Sequence, residues 1–113
     1  MSRKLGAVAE QRAAVFLSGL GYRVLERNFT CRMGELDIVA QDGDTVVFVE
    51  VRSRASLSYG LAAETIVMAK RRKLIKTASL YAQARGLDCP MRFDVVAFGP
   101  EGLEHFPDAF PAF

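Results

Sequence analysis

Two carboxylates, Asp37 and Glu50, have the type and the spacing to hold a divalent metal ion. They stand in two apolar runs, Gly34-Glu35-Leu36-Asp37-Ile38-Val39-Ala40 and Val47-Phe48-Val49-Glu50-Val51-Arg52, with Gln41-Asp42-Gly43-Asp44 between. Successive side chains of a strand alternate faces, so Glu35, Asp37 and Val39 share one side, as do Phe48, Glu50 and Arg52. An Asp-Gly pair between apolar runs marks a tight hairpin. Asp37 and Glu50 then fall on one face, directly opposite if Gly43-Asp44 turns and one pair apart if Asp42-Gly43 does. Opposed residues have Cβ atoms ~5 Å apart, and like charges placed there are destabilising. Either one acid keeps a proton, or a cation intervenes, and Mg²⁺ favours one or two carboxylates plus waters. The structural alternative is an ion-pair network in which Arg52 and Arg54 neutralise the acids. Glu10 belongs to the same question: on a helical wheel it falls ~20° past Leu17, at the edge of the apolar arc. A carboxylate there needs a partner, either the metal site or a nearby arginine.

The elements that must position these groups follow from periodicity. Leu5, Gly6, Ala9, Ala13, Phe16, Leu17 and Leu20 share one arc, which predicts an amphipathic helix over residues 3 to 20. Gly19 and Gly21 end it. Tyr22 to Phe29 alternate loosely as a first strand; Met33 to Gln41 and Thr45 to Ser53 are the two hairpin strands. A second helix is predicted from Met68 to Arg85, burying Leu74, Ile75, Ala78, Tyr81 and Ala82, with Gly86 at its stop. Met91 to Phe98 form a fourth strand, and the tail has room for a short strand near Leu103 to Phe106. The order α-β-β-β-α-β predicts an α/β fold, a mixed sheet flanked by helices. Residues 1–98 would form the domain and 99–113 its C-terminal tail.

A chain of 113 residues holds one domain, and one of modest stability margin, which a homodimer would widen. The formal charge of +2 excludes nothing, but its distribution is uneven. Seven Lys or Arg lie from Arg52 to Lys76, while residues 99–113 carry only acids and His105. That distribution favours an anionic partner such as nucleic acid. Cys31 and Cys89 are too few for a disulfide framework or a zinc pattern. No apolar run approaches the ~20 residues of a membrane span, and the N-terminus lacks a secretory pattern, so a cytoplasmic protein is expected.

Lys70-Arg71-Arg72-Lys73, with Lys76, opens the second helix. Exposed cations there oppose the helix dipole by ~0.3–1 kcal/mol each. Their placement makes sense if phosphates bind, since cations and free N–H groups then act together; the alternative is a solvated face offset by Glu64. Arg54 and Tyr59, after the acidic strand, are candidates to contact a backbone and stack on a base. His105 reads as a surface residue of the tail. Phe106, Phe110 and Phe113 either pack on the domain or dock a partner.

Laid end to end, Gly6-Ala7-Val8-Ala9-Glu10, Arg27-Asn28, Gly34-Glu35-Leu36-Asp37-Ile38-Val39, Phe48-Val49-Glu50-Val51-Arg52-Ser53-Arg54, Tyr59-Gly60, Lys70 and Arg92-Phe93-Asp94-Val95-Val96 resemble the bacterial YraN-like family, UPF0102. That family looks related to the restriction endonuclease-like, PD-(D/E)xK nucleases, and among them to archaeal Holliday-junction resolvases. The resemblance spans about residues 6 to 98. It implies Mg²⁺ (or Mn²⁺) on Asp37 and Glu50, with the Val51 carbonyl as a third ligand and Glu10 orienting a water or holding a second ion. Arg52 stands where such nucleases usually carry lysine. Arginine stays charged at any relevant pH, so Arg52 offers charge stabilisation but not general-base chemistry. Three functions follow: a Mg²⁺-dependent DNA endonuclease, on branched or single-stranded forms; a non-catalytic nucleic-acid-binding domain of the same fold; or a protein-interaction module using the tail. In the first two, Arg54, Tyr59, Lys70, Arg71, Arg72 and Lys73 contact the nucleic acid.

Overall fold

The computed structural model describes residues 3–53 and 68–110, with side chains from 7 to 53 and from 70 to 110. Helix α1 (Arg3–Gly19) leads into strands β1 (Arg23–Cys31), β2 (Gly34–Asp42) and β3 (Thr45–Ser53). Helix α2 (Met68–Arg85) then precedes β4 (Met91–Gly99) and β5 (Gly102–Phe110). The expected Arg54 and Tyr59 contacts, and Phe113, lie outside the described residues.

All five strands form one sheet in the order β1-β2-β3-β4-β5. The neighbours are antiparallel except β3 and β4, which run parallel because α2 carries the chain back between them. The helices cover opposite faces. On one, Leu74, Ala78 and Tyr81 of α2 pack with Val39, Phe48, Phe93 and Val95. On the other, Ala9, Ala13, Ala14 and Leu17 of α1 pack with Ile38, Val47, Val49 and Val96. The α1 contact is made largely by alanines, whereas α2 inserts Leu74 and Tyr81 against the aromatic rings of the sheet. No helix among the described residues is long and apolar enough to cross a membrane.

Two expectations are corrected here. Leu20, placed on the buried arc, is 51% exposed. The helix tightens at its end, with the Leu20 N–H donating to the Leu17 carbonyl at 3.0 Å, and this rotates residue 20 off the arc. The segment after Gly99 is also more than a short addition. It makes a nine-residue edge strand, and Phe110, 3% exposed, stacks on Phe93 with ring centroids 4.7 Å apart. Phe106 packs against the same core. Those two rings are therefore committed to the domain interior and leave little for a docking partner.

Candidate metal and nucleic-acid site

The hairpin turn decides the acid geometry. Asp42 pairs with Thr45, so Gly43 and Asp44 are the turn, and Gly43 takes the first central position with φ 60°. Primed hairpin turns demand that left-handed geometry, which glycine adopts without steric cost. The register continues through Ile38↔Val49, which sets Asp37 opposite Glu50. There the regular ladder stops. The Val51 N–H donates instead to Asp37 Oδ2 at 2.9 Å. Strand alternation breaks at the same point: Leu36 and Val39 both pack toward α2, while Ile38 packs toward α1. Leu36 is the residue out of step; Glu35 and Asp37 line the cleft beside α2 and Val39 packs on that same side, as the alternation predicts.

Both acids face a cleft of roughly 250 Å³ between this end of the hairpin and the start of α2. Its walls are Gly34, Glu35, Asp37, Glu50 and Val51 on the sheet, and Lys70, Lys73, Leu74 and Thr77 on the helix. Gly34 sets how closely the walls approach. A Cβ there would lie 3.0 Å from the Thr77 hydroxyl, which is itself buried and donates to the Lys73 carbonyl at 2.8 Å.

The acids strain one another electrostatically. Burial, then a hydrogen bond and like charge from Glu50, push the Asp37 carboxyl up to about 9, against a smaller opposing effect from the Val51 N–H. Glu50 is 6% exposed, and its Oε2 has no hydrogen bond. Lys70 Nζ lies 2.7 Å from that oxygen but off any hydrogen-bonding line, so their contact is Coulombic. Glu10 reaches the margin of this group from α1. Burial raises its carboxyl, Glu35 and Glu50 raise it further, and Asn28 and Arg27 partly offset them. Both partners weighed for Glu10, the acid cluster and an arginine, are therefore present.

These groups fit a Mg²⁺-type ion. Among the described residues no three acidic, imidazole or thiol side chains gather in coordinating geometry. Two carboxylates plus waters suffice for Mg²⁺, however, and a buried carboxylate oxygen without a hydrogen bond is a ready ligand. Val51 lines the cleft beside both acids. Arg52 does not appear among the cleft-lining residues; it is half-buried, one pleat (~7 Å) beyond Glu50.

The basic run divides around the helix. Lys70 and Lys73 face the cleft, and Arg72 is exposed. Arg71 turns away, with its guanidinium 5.2 Å from the Phe110 ring centroid. That contact ties Arg71 to the edge strand β5.

A second polar cluster, on the α1 side of the sheet, escaped the sequence reading. Asp94 is fully buried. Its Oδ1 accepts from Arg92 Nε and from the Asp108 N–H, both at 2.9 Å, and its Oδ2 lies 2.8 Å from His105 Nε2. Arg92 also donates to the Tyr22 hydroxyl at 2.6 Å and to Asp42 at 3.1 Å. His105, read as a surface residue, is instead mostly buried, edge-on to Phe16 and Tyr22. The edge strand folds it inward. Every polar group of Asp94 is satisfied, which marks a structural clamp joining β1, β4, β5 and the hairpin turn. Asp94→Ala is expected to cost about 3 kcal/mol, because it removes the buried acceptor shared by Arg92, His105 and the Asp108 N–H. That is a fall of roughly 12 °C in Tm, readable by thermal denaturation; a shift under ~3 °C would refute the clamp.

A mixed sheet with a helix on each face, and an acid pair where the central hairpin meets the second helix, defines a restriction endonuclease-like fold. A solved structure of this fold is the 1.6 Å structure of Archaeoglobus fulgidus Hjc, a Holliday junction resolvase from an archaeal hyperthermophile. It superposes with a TM-score of 0.55 and 21% identity, covering 87% of this chain and 72% of that one. The model of Uncharacterised protein family UPF0102 matches residues 9–98. Relatives bearing that family name include proteins of Syntrophus aciditrophicus and Stutzerimonas stutzeri. The first is 47% identical over 112 residues, 95% of this chain and 88% of the relative. The second is 52% identical over 103 residues, with 89% and 86% covered. The chain belongs to the UPF0102 family, as its motif order implied.

Proposed function

We propose that the protein hydrolyses phosphodiester bonds of DNA, with Mg²⁺ or Mn²⁺ held by Asp37, Glu50 and the Val51 carbonyl. The observation that carries this reading is the opposed acid pair, with one oxygen buried and lacking a hydrogen bond, facing the basic start of α2. The ion, when bound, supplies Lewis acidity to phosphate oxygens and lowers the pKa of water. Lys70 and Lys73 bring positive charge to the cleft. Glu10, at the margin of the acids, orients the attacking water. Arg52 contributes a fixed charge near the developing negative charge and takes no proton. Arg54 and Tyr59, which the sequence offers for contact with the nucleic acid, are assigned to it together with Lys70 and Lys73. The fold likeness to a Holliday junction resolvase supports branched DNA as the substrate class.

One observation favours a second reading, binding without hydrolysis: arginine at position 52, where lysine is usual in the resembled nucleases. A metal-titrated cleavage assay separates the two, run over linear duplex, single-stranded, flapped and four-way DNA. Metal-dependent cleavage abolished by chelator is expected. Salt-sensitive binding that ignores chelator, with all four substrates intact, would leave the binding domain standing. In either case, contacts from Lys70, Arg72, Lys73 and Arg54 give log K a slope of roughly −3 to −3.5 against log salt. A flat salt response would remove the basic helix from the interface.

A further inference from the structure

Lys70 and Glu50 form an unequal ion pair. Glu50 is held in the sheet with its side chain 7% exposed, while that of Lys70 is 49% exposed. The lysine rides on a flexible four-carbon stem, so its head can swing into solvent or onto another anion without disturbing the core. The carboxylate has no such freedom. The Lys70 ammonium occupies the approach to Glu50 Oε2, the oxygen left without a hydrogen bond. A divalent cation and an ammonium cannot share that oxygen at such range without strong repulsion. The cleft is also where a phosphate would meet α2, with Lys73 on the same wall.

We propose that Lys70 is an exchangeable counter-ion, neutralising Glu50 in the metal-free protein and transferring to a substrate phosphate when a divalent ion takes Glu50. This rests on the reading of Asp37 and Glu50 as metal ligands. It assigns the mobile positive charge of the site to α2, where the sequence had offered Arg52 on β3. It also links the two ligands: Lys70 opposes metal binding when no nucleic acid is present, and strengthens nucleic-acid binding once the metal is in place.

The test measures Mn²⁺ affinity of the intact chain, by electron paramagnetic resonance of the free ion, for wild type, Lys70→Met, Lys70→Arg and Lys73→Met. DNA affinity is measured in Ca²⁺, and circular dichroism confirms folding. Without DNA, Lys70→Met should bind Mn²⁺ about tenfold more tightly, the scale of losing one like charge ~4 Å away at a partly exposed site. Lys70→Arg should stay near wild type, and Lys73→Met should shift by less than about threefold. In Ca²⁺, Lys70→Met should lose about tenfold in DNA affinity. Unchanged or weaker Mn²⁺ binding in folded Lys70→Met overturns the exchange, and makes Lys70 a brace for Glu50. A wild type that takes up no Mn²⁺ overturns the metal reading itself, and the exchange with it.

Discussion

Asp37→Asn is expected to lower metal-dependent cleavage by ~10³-fold, the scale of losing a principal electrostatic contributor to a transition state. The fold should survive, because an asparagine carbonyl can still accept the Val51 N–H that Asp37 Oδ2 accepts at 2.9 Å. Its amide can also donate to Glu50, as the protonated aspartic acid does. The variant keeps the shape of the site and loses the anion that the proposed metal would need. DNA affinity should be equal or higher in chelator, since a carboxylate near phosphates is gone. Single-turnover cleavage of a four-way junction, beside binding measured by anisotropy, reads both quantities. A variant that cleaves within tenfold of wild type removes Asp37 from the metal site.

The second large effect is a coupling between protons and metal. In the metal-free protein the Asp37 carboxyl is pushed up to about 9, first by burial and then by Glu50. The folded state therefore keeps a proton that the unfolded chain, with an ordinary aspartate near 3.8, has already released. Stability from this group is complete below about pH 4 and is lost as pH rises through about 9. The unfolding free energy falls by at most ~1.4 kcal/mol per pH unit across that window. On the proposed metal reading, loading must expel the proton, so affinity should rise by up to tenfold per unit toward pH 9, with close to one proton released. Thermal unfolding in chelator at several pH values tests the first statement. Calorimetry in buffers of different ionisation enthalpy tests the second. Asp37→Asn should flatten both, and a wild type already flat in both would refute the buried proton.

The parts of the site legible in the sequence were those fixed by local geometry. An Asp-Gly turn and period-two alternation placed Asp37 and Glu50 on one face, and the structure narrows two turn choices to Gly43-Asp44. Helix α2 follows its periodicity from Met68 to Arg85. What the pattern could not carry was distance in space without distance in period. Tyr22 and Arg92 meet across 70 positions, and His105 reaches Asp94 only because β5 folds back along β4. The one available signal was Asp94 itself, a carboxylate in the apolar run Phe93-Asp94-Val95-Val96, which demands a buried partner. The ring contact of Arg71 was hidden for a related reason: its planar guanidinium suits a ring face, and Phe110, distant in sequence, supplies one. Arg52 follows Glu50 by two positions on β3, and among the described residues it is not one of those that line the cleft.

The bond from the Val51 amide to Asp37 turns a backbone proton into an observer of the site. Most strand amides report on sheet opening, whereas this one answers to a carboxyl group whose charge changes with its proton and, on the proposed reading, with metal. Its chemical shift should move with site occupancy while amides of the regular ladder, such as Val49, stay in place. One backbone resonance then follows the state of the cleft without label, substrate or catalysis.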